Sequence, residues 1–182
     1  MPPAVARDED SPQPRASPRE TCPARLEIRR MTDDGFEVQV FVGEDDARAL
    51  QEVIDLRMVV FVVEQAVPVE EEVDGKDPAA VHVALRRNGE VVGTARLRVV
   101  DGVGKIERVA IDRSRRGLGL GRRVMEAVEW AARDAACLEA LLAAQVQVIP
   151  FYEKLGYVAE GPVFLDAKID HRWMRKALRG EM

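Results

Sequence analysis

Lys105-Ile106-Glu107-Arg108-Val109-Ala110-Ile111-Asp112, followed by Arg116-Gly117-Leu118-Gly119-Leu120-Gly121-Arg122 and then by the run from Arg122 to Ala136, is the succession that decides the fold. The first segment alternates and predicts a strand. The last carries Val124, Ala127, Val128 and Ala131 at three- and four-residue steps and predicts an amphipathic helix. A glycine-rich turn between strand and helix lets successive backbone N–H groups converge, and the helix dipole adds roughly half a positive charge at that point. Such a turn is an anion cradle, and it implies a phosphate-bearing cofactor.

Spacing narrows the guest. A Walker loop requires G-x-x-x-x-G-K-[ST], and no Lys-Ser or Lys-Thr pair follows these glycines. The dinucleotide fingerprint G-x-G-x-x-G also fails: its sixth position is Arg122 counted from Gly117 and Val124 counted from Gly119. The pattern that fits is R-x-x-G-x-G, with Arg116, Gly119 and Gly121 at the fixed places.

On either side the chain alternates between strand and helix signals. Phe36 to Val42 predicts a strand. Glu44 to Gln65, with Ala47, Leu50, Ile54, Met58 and Phe61 at helical steps, predicts a helix capped by Glu44 or Asp45. Val81 to Arg87 and Glu90 to Val100 flank Asn88-Gly89, a type I′ hairpin signal. Asp101 to Gly104 turns the chain into the Lys105 strand. Beyond the long helix, Glu139 to Gln145 predicts a buried strand, Pro150 starts a short helix that Gly156 ends, and Tyr157 to Gly161 and Ile169 to Leu178 complete the sheet. The expected fold class is α/β (α+β), a central mixed β-sheet flanked by helices on both faces.

The chain has 182 residues, room for one domain, expected over residues 26–182. Residues 1–25 hold six of the ten prolines, lack the apolar stretch of a signal peptide, and read as a disordered Pro-rich tail. No apolar run approaches the ~20 residues of a membrane span, so no membrane partner is expected. A net charge of −5 argues against nucleic acid and weakly favours a cationic substrate. Cys22 and Cys137 make no disulfide framework, which points to a reducing, cytoplasmic location. His82 and His171 lie far apart without a cysteine nearby, so no metal site is expected. The acidic run Glu70-Glu71-Glu72 with Asp74 and Asp77 reads as a solvated loop, or as a funnel for amines.

The R-x-x-G-x-G hexapeptide resembles the pyrophosphate-binding signature of the GNAT superfamily, N-acetyltransferases that use acetyl-CoA. Phe151-Tyr152-Glu153-Lys154-Leu155-Gly156-Tyr157 resembles that superfamily's F-Y-x-x-x-G-[FY] segment. Leu56-Arg57 with Val60-Phe61-Val62-Val63-Glu64-Gln65 resembles the L-R-x-x-V-F-V-x-E-Q signature of the ElaA-like branch. Asp74-Gly75, Glu107 to Ala110, Ala144-Gln145 and His171-Arg172-Trp173-Met174 extend the likeness across residues 36 to 178. The resemblance implies a GNAT-type fold and direct transfer of an acetyl group from acetyl-CoA to a primary amine, which would be a small molecule or a peptide. Homodimers are common in the superfamily, and the oligomeric state stays open.

Two proton problems attend that chemistry. An alkylamine is protonated about a thousandfold over its nucleophilic form at pH 7, a difference of roughly 4 kcal/mol. The departing thiolate must also be neutralised. Tyr152 is the candidate acid, placed against the cofactor sulfur by the resemblance. Glu107, two residues before Val109 and so expected on the same strand face, is the candidate base, with a bond to a neighbouring strand as the competing role. The resemblance assigns the pyrophosphate to Arg116, Gly117, Leu118, Gly119, Leu120, Gly121 and Arg122, with Arg123 a weaker candidate. It assigns the pantetheine arm and thioester carbonyl to backbone groups of Val109, Ala110 and Ile111. Glu64, Gln145 and His171 are the expected substrate-side residues, with Gln147 near them. Cys137 sits away from the cradle, which disfavours a covalent acyl-enzyme. Two other readings stay open: an acyl-homoserine-lactone-synthase-like acyltransferase, and a non-catalytic CoA-sensing module.

Overall fold

The computed structural model describes residues 20–21, 28–32 and 34–178. Among these, nine strands form one sheet: β1 (Glu20–Thr21), β2 (Ile28–Met31), β3 (Phe36–Val42), β4 (Val81–Arg87), β5 (Glu90–Val100), β6 (Val103–Ile111), β7 (Glu139–Gln145), β8 (Val158–Asp166) and β9 (Ile169–Ala177). The helices are α1 (Ala47–Arg57), α2 (Val69–Glu72), α3 (Leu120–Asp134) and α4 (Ile149–Lys154). The sheet order is β2-β3-β4-β5-β6-β7-β9-β8. β1 pairs with β5 at Val99 and Val100, past the end of the β4 ladder. Glu20 and Thr21 therefore belong to the sheet, although they fall in the stretch expected to be tail. The remainder of that stretch, Cys22 included, lies outside the described residues.

Local chemistry sets most boundaries. Asn88 and Gly89 take φ of 51° and 81°, and Asp101 and Gly102 take 51° and 77°, so both hairpins turn through paired left-handed residues. The cap of α1 is Asp46, whose Oδ1 accepts from the Ala49 N–H at 2.9 Å. Glu44 and Asp45, expected in that role, instead form a 3₁₀ turn with Gly43. The helical path continues to Glu64 as expected, but its last seven residues, Met58–Glu64, widen into a π-helix. Helix α3 begins at Leu120, two residues earlier than its periodicity indicates, because Gly119 in the left-handed region starts it.

Helices cover both faces. Val124 and Val128 of α3 join Val83, Leu85, Leu97 and Ile106 in the larger core, while Ala49 and Val53 of α1 pack with Phe41 and Ala84 on the opposite face. Each of the valine, leucine, isoleucine and phenylalanine side chains taken from water contributes about 1.5–3 kcal/mol. On the α3 side the carboxylate of Glu129 is the buried polar exception, accepting from Tyr157 Oη at 3.0 Å and Lys176 Nζ at 2.7 Å.

Two irregularities of β6 position the site. Arg96 faces Glu107 and Thr94 faces Ala110, so Arg108 and Val109 together oppose Ala95 alone, with Arg108 at φ 55°. An extra residue shifts the side-chain alternation by one. Glu107 consequently sits on the α1 face with Arg96, while Val109 packs against the α3-side core, so the shared face expected for Glu107 and Val109 is not found. The second irregularity is where β6 meets β7. Their parallel ladder runs only from Val103–Glu139 to Lys105–Leu141, and beyond it β6 has no partner on that side.

Candidate active site

A cavity of about 1270 Å³ occupies the space where β6 and β7 part. One wall is the glycine turn and the head of α3. Gly117 and Gly119 hold φ of 79° and 77°, which an L-residue adopts only with strain. Gly121 matters for a different reason: a Cβ there would stand 3.0 Å from the Phe151 ring, which would have to give way by a few tenths of an ångström. The hexapeptide and the Phe151-Tyr152 segment are thus mutually fitted. No side chain caps α3, since its N-cap is Gly119, so the first N–H groups of the helix are open to a ligand. These features suit a diphosphate such as that of coenzyme A, for which the amides from Gly117 to Gly121 would be the donors.

The strand wall follows from alternation. The Asp112 N–H donates to the Val92 carbonyl at 2.9 Å, and Ala110 pairs with Thr94, so the backbone groups of Ala110 point into β5. Those of Ile111 point the other way, toward the gap, and the Ile111 carbonyl accepts from Arg116 Nε at 3.1 Å. Val109, Ala110 and Ile111 all line the cavity.

Tyr152 lines the same cavity from α4, packed edge-on against Phe151 and Tyr157 with ring centroids 5.0 and 5.9 Å away. Burial pushes its phenol well above the ordinary tyrosine value. It therefore stays protonated at neutral pH and is a hydrogen-bond donor.

Glu107 is differently placed. Its carboxylate accepts from Arg96 Nε at 3.0 Å and from Arg98 Nε and Nη2 at 2.9 and 2.7 Å. Burial favours its neutral form, but the two guanidiniums outweigh that and hold its pKa down to about 2. A carboxylate with both oxygens committed to cations is a poor proton acceptor near neutrality. The bonding is that of the competing role, a glutamate tied to the neighbouring strand.

Those arginines belong to an ionic network that covers the α1 face. Arg57, fully buried, binds Glu72 and Asp77, with Nη1 to Asp77 Oδ1 at 2.6 Å. Arg96, 1% exposed, donates to Asp74 Oδ1 and Oδ2 at 2.8 and 2.7 Å and to Asp77 Oδ1 at 3.1 Å. Arg108 meets Glu72 Oε2 at 2.8 Å and donates to the Glu71 carbonyl at 2.9 Å. The segment from Glu70 to Asp77, the end of α2 and the loop after it, is thereby fastened beside the cavity. Glu72, Asp74 and Asp77 are spent on arginines, so neither a solvated loop nor an amine funnel describes them. Sequence reasoning missed Arg96 and Arg98 because they alternate with Ala95, Leu97 and Val99, a pattern that ordinarily puts the polar residues in water.

The other expected residues divide. Gln145 lines the cavity, donating to Gln65 Oε1 at 2.7 Å and accepting from Gln147 Nε2 at 2.8 Å, and Gln65 is an addition. His171 also lines it, stacked on Phe164. Glu64 does not: its Oε2 accepts from Arg116 Nη2 at 2.9 Å, on the cofactor side of the turn. Arg122 is exposed and outside the cavity wall, whereas Arg115 is part of it. Arg123 is turned away, paired with Asp34 and lying over Phe36 at 5.0 Å. Leu118 is exposed at the turn and Leu120 is buried beneath it. Cys137 is buried away from the cavity, and burial pushes its thiol up. Among the described residues, no three His, Cys, Asp or Glu side chains converge as a metal site, and no helix is long and apolar enough to cross a membrane.

A strand pair opened beside an uncapped helix head, with Tyr152 lining the same cavity, is an arrangement that would suit an acyltransferase using a CoA thioester. Residues 28–157 match the model of the acetyltransferase (GNAT) family, and the chain belongs to that family. It is 41% identical over 128 residues to the uncharacterized N-acetyltransferase YjcF of Bacillus subtilis (strain 168), covering 70% of this chain and 91% of that protein. An acyl-CoA N-acyltransferase from Pseudomonas aeruginosa superposes with a TM-score of 0.70 at 33% identity, over 78% of this chain and 99% of that one. Escherichia coli ElaA superposes with a TM-score of 0.71 at 26% identity, over the same shares. A CoA-dependent acyl-homoserine lactone synthase, BjaI, shares the fold with a TM-score of 0.64 at 18% identity, over 77% of this chain and 82% of that one.

Proposed function

We propose that the chain is an acetyl-CoA-dependent N-acetyltransferase that moves an acetyl group to a primary amine by direct transfer. The observation that supports this most strongly is the meeting, in one cavity, of the α3 head, the unpartnered edge of β6 and the Tyr152 phenol. Bound acetyl-CoA supplies an electrophilic thioester carbonyl. The amides from Gly117 to Gly121 hold its diphosphate, with Arg115 and Arg116 beside them. Backbone groups of β6 at Val109 and Ile111 align the pantetheine arm and polarise the carbonyl, a type of contact whose loss costs about 3 kcal/mol of barrier. Tyr152 donates to the sulfur as it departs. Its raised pKa makes this a shared proton more than a completed transfer in advance of bond cleavage. Glu107 does not take the amine proton. It keeps Arg96 and Arg98 in place behind the cavity wall. A cytoplasmic location, where acetyl-CoA is made available, accords with this reading.

The test is thiol release from acetyl-CoA across a panel of small amines and peptides, comparing wild type with Tyr152→Phe. The variant is expected to bind acetyl-CoA as wild type does and to turn over at least tenfold more slowly. An unaltered turnover number would remove Tyr152 from the role. The fold likeness to a CoA-dependent lactone synthase favours one second reading, since the cradle serves any CoA thioester. Replacing the amine by S-adenosylmethionine distinguishes it: thiol release with that acceptor alone would favour the synthase. Acetyl-CoA binding with no thiol release from any acceptor would favour a CoA-sensing module.

A further inference from the structure

We propose that His171 is the proton acceptor for the incoming amine, acting through Nε2. The inference rests on the cavity being the acetyl-CoA and amine site, and it fills the role that Glu107 leaves open. His171 Nδ1 lies 2.8 Å from the carbonyl oxygen of Ile169. A carbonyl only accepts, so Nδ1 carries the hydrogen, and the lone pair of the neutral ring is on Nε2. The ring is fixed on both sides of its strand. Its Cα faces Gln145 of β7 and Phe164 of β8, its plane stacks on Phe164 at 6.0 Å and 25°, and Phe164 stacks in turn on Trp173 at 5.3 Å. At 9% exposure it is a buried histidine on the wall of the cavity that Tyr152 also lines.

The charged and titratable groups lining the cavity are Asp166 from β8, Lys105, Glu107 and Arg108 from β6, Arg96 and Arg98 from β5, Glu70, Glu71 and Glu72 from α2, Asp74 and Lys76 beyond it, Arg115 and Arg116 before α3, and Tyr152 from α4. From β7 the wall receives Gln145 and Ala143, which carry no charge. Glu107 is tied to Arg96 and Arg98, and Lys105 lies over the Trp173 ring at 5.8 Å.

The ammonium form of the substrate breaks one N–H bond and His171 Nε2 gains that proton. The freed nitrogen lone pair forms the C–N bond to the acetyl carbon. The C–S bond breaks with its electron pair going to sulfur, which takes the Tyr152 proton. The second nitrogen proton restores the phenol, and the imidazolium returns its proton to water. The products are an acetamide, a free thiol and one released proton.

The experiment is the pH profile of kcat/KM for wild type, His171→Asn and His171→Gln, with acetyl-CoA affinity and melting temperature measured on the same samples. Asparagine retains a donor near the Ile169 carbonyl, and neither amide is basic. The expected result is a fall in kcat of about 10²-fold or more at pH 7. The pH-dependent limb that the histidine gives the wild-type profile should vanish. Acetyl-CoA affinity should be unchanged, and imidazole added to His171→Ala should restore part of the rate. An unchanged profile, a defect confined to KM, or a loss of acetyl-CoA binding in both folded variants overturns the assignment. If wild type binds acetyl-CoA yet releases no thiol with any amine, the parent reading fails first, and the histidine assignment falls with it.

Discussion

The two faces of the sheet are built from the same strands and solve opposite problems. Along β5, Leu97 and Val99 enter the α3 side, where Val124 and Val128 meet them, and the side chains there are mostly aliphatic. Arg96 and Arg98, one residue out of phase, enter the other side, where Glu107, Asp74 and Asp77 meet them. Dispersion and burial hold the first face, and its parts are interchangeable if volume is kept. The second face has a small apolar cluster under α1, and beside it the strands are held by directional charge pairs, in which every partner is specified. That difference accounts for where the chemistry sits. The apolar side fixes α3, and with it the cradle, while the ionic side fastens a loop beside the cavity without filling it.

The largest expected effect comes from cutting the ionic face. Arg96→Met should cost about 3–5 kcal/mol of folding free energy, because Asp74, Asp77 and Glu107 would be left buried beside an apolar side chain. Leu97→Ala, at the adjacent position on the aliphatic face, should cost about 2–5 kcal/mol. Chemical denaturation measures both. The two should also differ in rescue: Leu97→Met should recover most of the lost stability and Arg96→Lys little of it, since one ammonium cannot reproduce the guanidinium fork. Equal rescue at both positions would erase the distinction between the faces.

A smaller effect is expected where the two regions meet. Gly121→Ala would press a methyl group toward the Phe151 ring, 3.0 Å from the Cβ position. About 1–3 kcal/mol of stability should be lost, together with CoA affinity, because Phe151 and the α3 head must separate. Full retention of CoA affinity would show that the fit of glycine turn to aromatic segment does not shape the cradle.

The mildest probe is pH. Burial lowers the pKa of His82 from its ordinary value to about 4, although its contact with the Asp77 carbonyl at 2.9 Å opposes the shift. The unfolded chain therefore takes up that proton first, and the stability this neutral histidine supports, complete above about pH 6.5, declines as pH falls toward 4. Glu107, with its pKa at about 2, adds a second decline below about pH 4.5 as its unfolded form protonates. Melting temperature should fall in two stages from pH 7 to pH 3. His82→Gln should flatten the first stage and leave the second. A single stage unaffected by that substitution would mean that burial of His82 carries no linkage.

What could be read from the sequence follows the same division. The aliphatic face was legible because alternation and helical periodicity report burial directly: β3, β4, β5 and β7 fall where their patterns put them, and both left-handed hairpins carry their Asn-Gly and Asp-Gly signatures. The cradle was legible because positive φ at Gly117 and Gly119 leaves a residue-level trace. The ionic face was not. Arg57, Arg96, Glu72 and Asp77 are buried against their composition, and nothing local in β5 tells a paired arginine from a solvated one. Nor did the sequence disclose the bulge at Arg108, an ordinary residue in a left-handed conformation, and that shift of one residue separates Glu107 from Val109. Glu64, at the end of a helix whose last turns are π-helical, pairs with Arg116 and is not among the residues lining the cavity, which its sequence position did not disclose.

The most direct measurement is a calorimetric titration of the folded protein with acetyl-CoA, in parallel with desulfo-CoA and with 3′,5′-ADP. Saturable binding near one ligand per chain, kept when the sulfur is removed and weakened when the pyrophosphate and pantetheine arm are missing, is the outcome expected from amides at the α3 head and an opened β6 edge. Absence of heat with every ligand, from protein that melts cooperatively, would contradict it.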